Sequence, residues 1–237
     1  MSKLLPNKIR YEYGLKICEK IIPWGAKWNK NVYLNNKLAY KKGTRYKADR
    51  LLSNGTGIVK GITIHNTNGN ADAETYTRAT YPNQNMLSSR VHYYIDDKEI
   101  WQNLREDEVG WHAGDGRGPG NETTISLEII TKGKIIKDEI KAEDNGAKLC
   151  AILLDKYNLS IKDVYTHKYW SGKNCPINIL PRWNDFLNKV QFHLTNIKKE
   201  KEALYLVQVG AFKNEENAKK LLEQLVKAGF NGCIRKS

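Results

Sequence analysis

The stretch Ile58-Val59-Lys60-Gly61-Ile62-Thr63-Ile64-His65 reads as a strand buried on both faces and ending on a histidine. Such a strand needs partners on its edges and cover on both sides, and the residues after it supply them. Ala71–Tyr81 reads as a short helix stopped by Pro82, while Val91–Asp96 and the region around Ile100–Leu104 read as strands separated by an acidic turn. A loop with five glycines, Gly110–Gly120, leads to the β-branched, alternating strand Thr124–Thr131. Ala142–Tyr157 places Ala147, Cys150, Ala151, Leu154 and Tyr157 at helical spacing. Ile161–Thr166 is the next strand, and Pro181 sits in the first turn of a helix running to about Lys199. Strands alternating with helices imply a mixed α/β fold, a central mixed β-sheet flanked by helices.

Two terminal segments stand apart from this pattern. Residues 1–56 interleave aromatics (Tyr11, Tyr13, Trp24, Trp28, Tyr33, Tyr40, Tyr46) with Lys and Arg, with no helical period beyond about Tyr11–Ile22. Those aromatics either form a stacking surface for sugars or bases or plug an irregular arm into a core. After a charged tether at 198–203, residues 204–237 read as a small βαβ unit. Its first strand is Leu204–Val209, its helix is capped by Asn214 and ended by Gly229, and Gly232–Arg235 is a last strand. The expected division is therefore an arm at 1–56, a main domain at 57–197, the tether, and the unit at 204–237.

Charge and composition exclude several classes. The net charge is +13, yet residues 1–60 alone carry 14 Lys/Arg against 3 Asp/Glu. A basic end suits an anionic wall polymer, a nucleic acid or an anionic membrane, or simply a solvated face. No run of 18 apolar residues is present, which argues against a membrane span. The start MSKLLPNKIRYEYGLK has no apolar signal region, and four scattered cysteines do not make a disulfide framework, so synthesis in a reducing cytoplasm is expected.

Of five histidines, His65 and His167 fall just past strand ends, and Cys175 follows His167 by eight residues. Two imidazoles and a thiolate suit Zn²⁺, and three protein ligands leave one position open, as catalytic zinc requires. Either histidine could equally be a satisfied structural residue. Glu128, inside the buried strand ISLEII, needs a partner that a metal site would provide, or else a buried cation. Lys173, two residues before Cys175, would then lie close enough to steady an oxyanion.

The blocks ITIHNT, SxxHYYID, WHAGDG, GNxxxISLEI and THKYWSGKNCP, in that order over about residues 57–185, resemble the type 2 N-acetylmuramoyl-L-alanine amidases. These are zinc enzymes that share a fold with peptidoglycan recognition proteins. The resemblance implies that His65, His167 and Cys175 bind Zn²⁺, that Glu128 is the acid/base, and that Lys173 assists. It places Trp111 and His112 along the substrate groove, with His92 and Asn66 as further substrate-binding candidates. It departs at Val91, where some relatives carry a Tyr. The segment YLVQVGAFKNEENAKKLLEQLVKAGF is similar to the first half of the SPOR repeat, a peptidoglycan-binding module.

Together the resemblances imply a hydrolase of the muramoyl–L-alanine amide acting on the glycan strand and stem peptide of peptidoglycan, in the manner of an endolysin. Such an enzyme reaches the wall after holin-dependent release or from outside. The rivals are a non-catalytic recognition protein of the same fold and a nucleic-acid-binding protein using the basic arm. The half-module has an apolar helix face and strand edges to cover, so a homodimer through 204–237 is expected.

Overall fold

The computed structural model describes residues 3–34, 36–69, 71–81, 89–131, 136–202, 207–230 and 232–234. The helical period at Tyr11–Ile22 gives way to a β-hairpin. Tyr13 and Gly14 both take positive φ (47° and 80°), the pair that closes a two-residue hairpin. The residues around them form antiparallel strands β1 (Lys8–Glu12) and β2 (Leu15–Glu19). In β2, Leu15 and Ile17 face one core cluster and Cys18 the opposite one. That is the two-sided pattern of a strand, and over so few residues it imitates a helical stripe.

The hairpin joins a seven-stranded sheet through β2, which runs parallel to β7 (Ile100–Gln102). The strand order is β1-β2-β7-β6-β8-β5-β9, with β5 at Gly61–Asn68, β6 at Tyr93–Ile95, β8 at Thr124–Thr131 and β9 at Val164–Thr166. The sheet is mixed: β5–β8, β5–β9 and β6–β8 are parallel, whereas β6–β7 and β1–β2 are antiparallel. Helices α2 (Ala73–Thr80), α3 (Pro119–Thr123), α4 (Ile136–Lys156), α5 (His167–Ser171) and α6 (Trp183–Glu202) flank it.

Register decides which side chains share a face. Ile62 pairs with Ile125 and Ile64 with Leu127, and this apolar face packs under α4 and α6. Phe186, Val190, Leu194 and Ile197 of α6 repeat every three to four residues toward it. The alternate residues of the two central strands, Thr63 with Ser126 and His65 with Glu128, put a polar row on the opposite face.

The aromatics of the amino-terminal segment divide between the two roles open to them. Trp28 and Tyr46 are fully buried in the main core, with Tyr40 stacked 4.8 Å from Trp28, whereas Tyr11, Trp24 and Tyr33 are exposed. A small hairpin, β3 (Val32–Leu34) and β4 (Lys37–Tyr40), and the single turn α1 (Leu52–Gly55) complete this segment. Buried Arg90 links it to the sheet, lying 3.5 Å from Asp49 Oδ1, 3.7 Å from Glu108 Oε2 and over the Tyr46 ring.

The chain divides into two units, Met1–Lys201 and Glu202–Ser237. The expected tether differs: Lys198–Glu202 is the last turn of α6, because alternating Lys and Glu are good helix formers. Residue 203 lies outside the described residues. In the second unit, α7 (Glu215–Lys227) is capped by Asn214 Oδ1 accepting from the Glu216 N–H (2.8 Å), and Gly229 follows at φ 88°. The expected strands differ too. Residues 204–206 and Arg235 lie outside the described residues, while 207–209 and 232–234 are not in strands. A helix makes its hydrogen bonds locally, but a two-stranded ladder with little cover is marginal.

Candidate metal centre

His65 is a buried residue within β5, and His167 opens α5 directly after the parallel neighbour β9, where Thr166 pairs with Ile64. The two histidines therefore sit level on adjacent strands, 102 positions apart in sequence: His167 follows the end of β9 as expected, whereas His65 lies inside β5, which runs three residues beyond it to Asn68. Thr166 Oγ1 accepts from the Tyr169 N–H (3.1 Å), capping α5 and fixing where His167 starts. The Lys168 N–H donates to the Cys175 carbonyl (2.9 Å), which folds the next loop back onto the helix and brings in the thiol.

His65 Nδ1 lies 3.0 Å from His167 Nδ1 and 3.8 Å from Cys175 Sγ. One ligand atom from each of the three buried residues lies within 4.8 Å of the other two. Burial keeps both imidazoles neutral, lowering His65 well below the usual range and His167 to about 4, with the positive charge of Lys173 adding to both shifts. A neutral imidazole has the lone pair that a metal needs. Burial pushes the Cys175 thiol up to about 11, partly offset by the Asn66 backbone N–H, which would favour a thiolate there. Two neutral imidazoles and a thiol converging in a buried pocket fit Zn²⁺.

Glu128 is level with His65 across the β5–β8 pair, its Oε1 4.0 Å from His65 Nδ1. Its Oε2 is buried without a hydrogen-bond partner. Burial pushes this carboxyl up to about 7, against an opposing pull from Lys173. Lys173 itself is exposed.

The remaining candidates are placed differently from one another. Trp111 is half-buried, with Lys47 Nζ 3.4 Å from its ring centre. Asn66 Oδ1 accepts from the Asn178 N–H (3.1 Å), so its side chain braces the loop after Cys175 and is engaged within the protein. His92 is a correction. It is fully buried, its Nδ1 accepts from the Ser126 N–H (3.0 Å), and its Nε2 donates to the Glu108 carbonyl (2.8 Å). Neither ring nitrogen is left for substrate. His112 is also turned inward, its Nδ1 3.1 Å from His65 Nε2, so it faces a candidate metal ligand and not an open groove.

Asn121 carries a role that the sequence did not disclose. Its Oδ1 accepts from the N–H groups of both His112 (2.7 Å) and Ala113 (2.9 Å). The available signal was its place in GNxxxISLEI, one residue after a glycine-rich loop that needs internal tethering. Gly120, in the first turn of α3, cannot be enlarged, since a Cβ would come 2.5 Å from Ala113 Cβ and 2.7 Å from Trp170 Cγ.

Residues 55–178 match the family model described as N-acetylmuramoyl-L-alanine amidase, and residues 187–236 match the SPOR domain. Among curated relatives, the Bacillus subtilis N-acetylmuramoyl-L-alanine amidase XlyA is 40% identical over 126 residues, which is 53% of this chain and 42% of that protein. Its counterpart CwlH from the same organism is 40% identical over 131 residues, 54% of this chain and 52% of that protein. The solved catalytic domain of XlyA superposes with a TM-score of 0.56 at 32% identity, covering 73% of this chain and 98% of that one. PlyL superposes with a TM-score of 0.57 at 30% identity, covering 73% of this chain and 96% of that one. The chain belongs to the N-acetylmuramoyl-L-alanine amidase family. It spans about half the length of the curated relatives it matches.

Proposed function

We propose that the chain is a zinc-dependent, endolysin-like N-acetylmuramoyl-L-alanine amidase that hydrolyses the amide joining the lactyl group of N-acetylmuramic acid to L-alanine of the stem peptide. The observation that carries this reading is the convergence of His65, His167 and Cys175 beside the half-buried Glu128, whose buried Oε2 has no hydrogen-bond partner. His65 Nδ1, His167 Nδ1 and Cys175 Sγ would hold the Zn²⁺, with the Asn66 N–H steadying the thiolate. When bound, the metal supplies Lewis acidity toward the attacking water and the scissile carbonyl.

The rest of the chemistry falls to the protein. Glu128 takes the proton of the attacking water at its free Oε2, and a carboxyl raised to about 7 is matched to that task near neutral pH. The Lys173 ammonium stabilises the oxyanion as the carbonyl becomes tetrahedral. Glu128 then returns the proton to the departing amine of L-alanine, so protons balance over the cycle. Mass spectrometry of purified cell wall after digestion tests the reading. New free muramic lactyl carboxyls paired with free L-alanine amino termini are expected, and they should vanish with chelator. Cleavage at another bond would refute it.

Wall targeting is assigned to the two ends. The excess of basic residues in 1–60 suits anionic wall polymers, so adsorption to whole walls is expected to weaken steadily as salt is raised. Adsorption that ignores salt would remove that role from the arm. In 202–237 the described apolar residues Val207, Val209, Val226 and Phe230 are exposed, and α7 has no buried residue. A second copy of the unit would cover them and present one composite surface to the glycan. Sedimentation should give a dimer for the full chain and a monomer for residues 1–200, whereas a full-length monomer excludes the pairing. Action on the wall follows holin-dependent release or approach from outside. No described helix is long and apolar enough to cross a membrane.

A further inference from the structure

The two candidate imidazole ligands are held from behind by consecutive residues of one loop. His65 turns Nδ1 toward the metal group and Nε2 toward His112 Nδ1, 3.1 Å away. His167 likewise turns Nδ1 inward, and the backbone at Ala113 interacts with its ring. Gly114 lies along the far edge of that ring, where a Cβ would come 3.3 Å from His167 Nε2. An imidazole that gives a metal its Nδ1 lone pair carries its proton on Nε2, and both Nε2 atoms face this loop.

The dipeptide His112–Ala113 is itself stapled by one side chain. Asn121 is fully buried, and its Oδ1 accepts from both N–H groups of the dipeptide. Its Nδ2 donates to the Gly116 carbonyl (2.9 Å), and its own N–H donates to Asp115 Oδ1 (3.3 Å). The site needs an acceptor for two donors and, on the adjacent atom, a donor. A carboxylate of the same shape would set a bare oxygen against the Gly116 carbonyl, and alanine would leave two buried N–H groups unpaired.

We propose that Asn121 is a positioning residue for the metal, acting through His112 and Ala113 to fix the orientation and tautomer of His65 and His167. This rests on the zinc reading above. It differs from a general loop-bracing role because the two stapled residues are the ones that hold both imidazoles. Outer-sphere partners of histidine ligands commonly change metal affinity by about 10- to 100-fold.

The test is zinc affinity of the full-length protein, measured by competition with a chromophoric chelator, with circular dichroism and a melting curve on each zinc-free variant. Asn121→Ala is expected to stay folded and bind zinc about 10- to 100-fold more weakly. His112→Phe keeps the ring volume but loses the acceptor for His65, and should weaken zinc similarly. His112→Asn places Oδ1 where Nδ1 was and should recover most of the loss. The double variant Asn121→Ala/His112→Phe should lose less than the product of the single losses, because they share a route. Wild-type zinc affinity in a folded Asn121→Ala protein overturns the proposal. If that variant does not fold, equal affinities for His112→Phe and His112→Asn overturn it. A wild-type chain that holds no zinc at His65, His167 and Cys175 sinks the metal reading itself, which is a different result.

Discussion

Glu128→Gln is expected to lower kcat by about 10²- to 10⁴-fold, the usual contribution of a positioned acid/base, while leaving zinc content unchanged. Glutamine keeps the shape and one carbonyl oxygen, so contacts across β5 and β8 persist, but it cannot take the proton that the proposed reaction assigns to Glu128. Lys173→Ala should fall less, about 10²- to 10³-fold, as for one oxyanion donor. Linkage supplies a second readout. Burial raises the Glu128 carboxyl to about 7 in the folded chain, against an ordinary value of 4.5 when unfolded. Between those values the folded state holds more protons, so this group's contribution to stability declines as pH rises through that window. The zinc-free Gln variant should therefore melt at or above wild type at pH 8 and lose that advantage near pH 4. Wild-type turnover in Glu128→Gln would end the acid/base assignment. A variant less stable than wild type at pH 8 would instead show that the carboxylate has a compensating partner.

What the sequence disclosed follows from the range of the forces involved. Strand Thr124–Thr131 was legible residue for residue because β-branched alternation on a doubly covered strand is a local signal. His65, His167 and Cys175 were legible as a convergent set because the order of the motifs linked segments that spacing could not, although His65 lies inside its strand and not past its end. The hairpin β1–β2 was not, since a five-residue strand with apolar residues on both faces fits a helical stripe equally well. His92 and His112 were drawn toward substrate by their motifs. Only tertiary contacts show that Ser126 and Glu108 occupy one and that His65 faces the other. Asn121 was hidden for a related reason, because an amide announces nothing about which backbone groups it will hold.

Removing the metal is expected to abolish wall hydrolysis while most of the fold survives. The donors belong to the polar face of β5, the first residue of α5 and the loop after it. The large apolar cluster under α4 and α6 contains none of them. Chelation should therefore leave the far-ultraviolet spectrum nearly unchanged, lower the stability by the lost binding term, RT ln(1 + [Zn²⁺]/Kd), and so lower the melting temperature. Readdition of zinc should restore both activity and melting temperature. Cys175→Ser should resist that restoration, because a hydroxyl does not ionise as a thiol does and is a poor zinc ligand. The sign with pH follows from the same protons. Binding must displace the Cys175 proton, held up near 11 by burial, so zinc affinity should rise as pH rises and fall toward acid. The serine variant should lose that dependence above the range where the histidines titrate. Hydrolysis that continues at full rate in metal-free protein would leave Glu128 and Lys173 to do the chemistry alone.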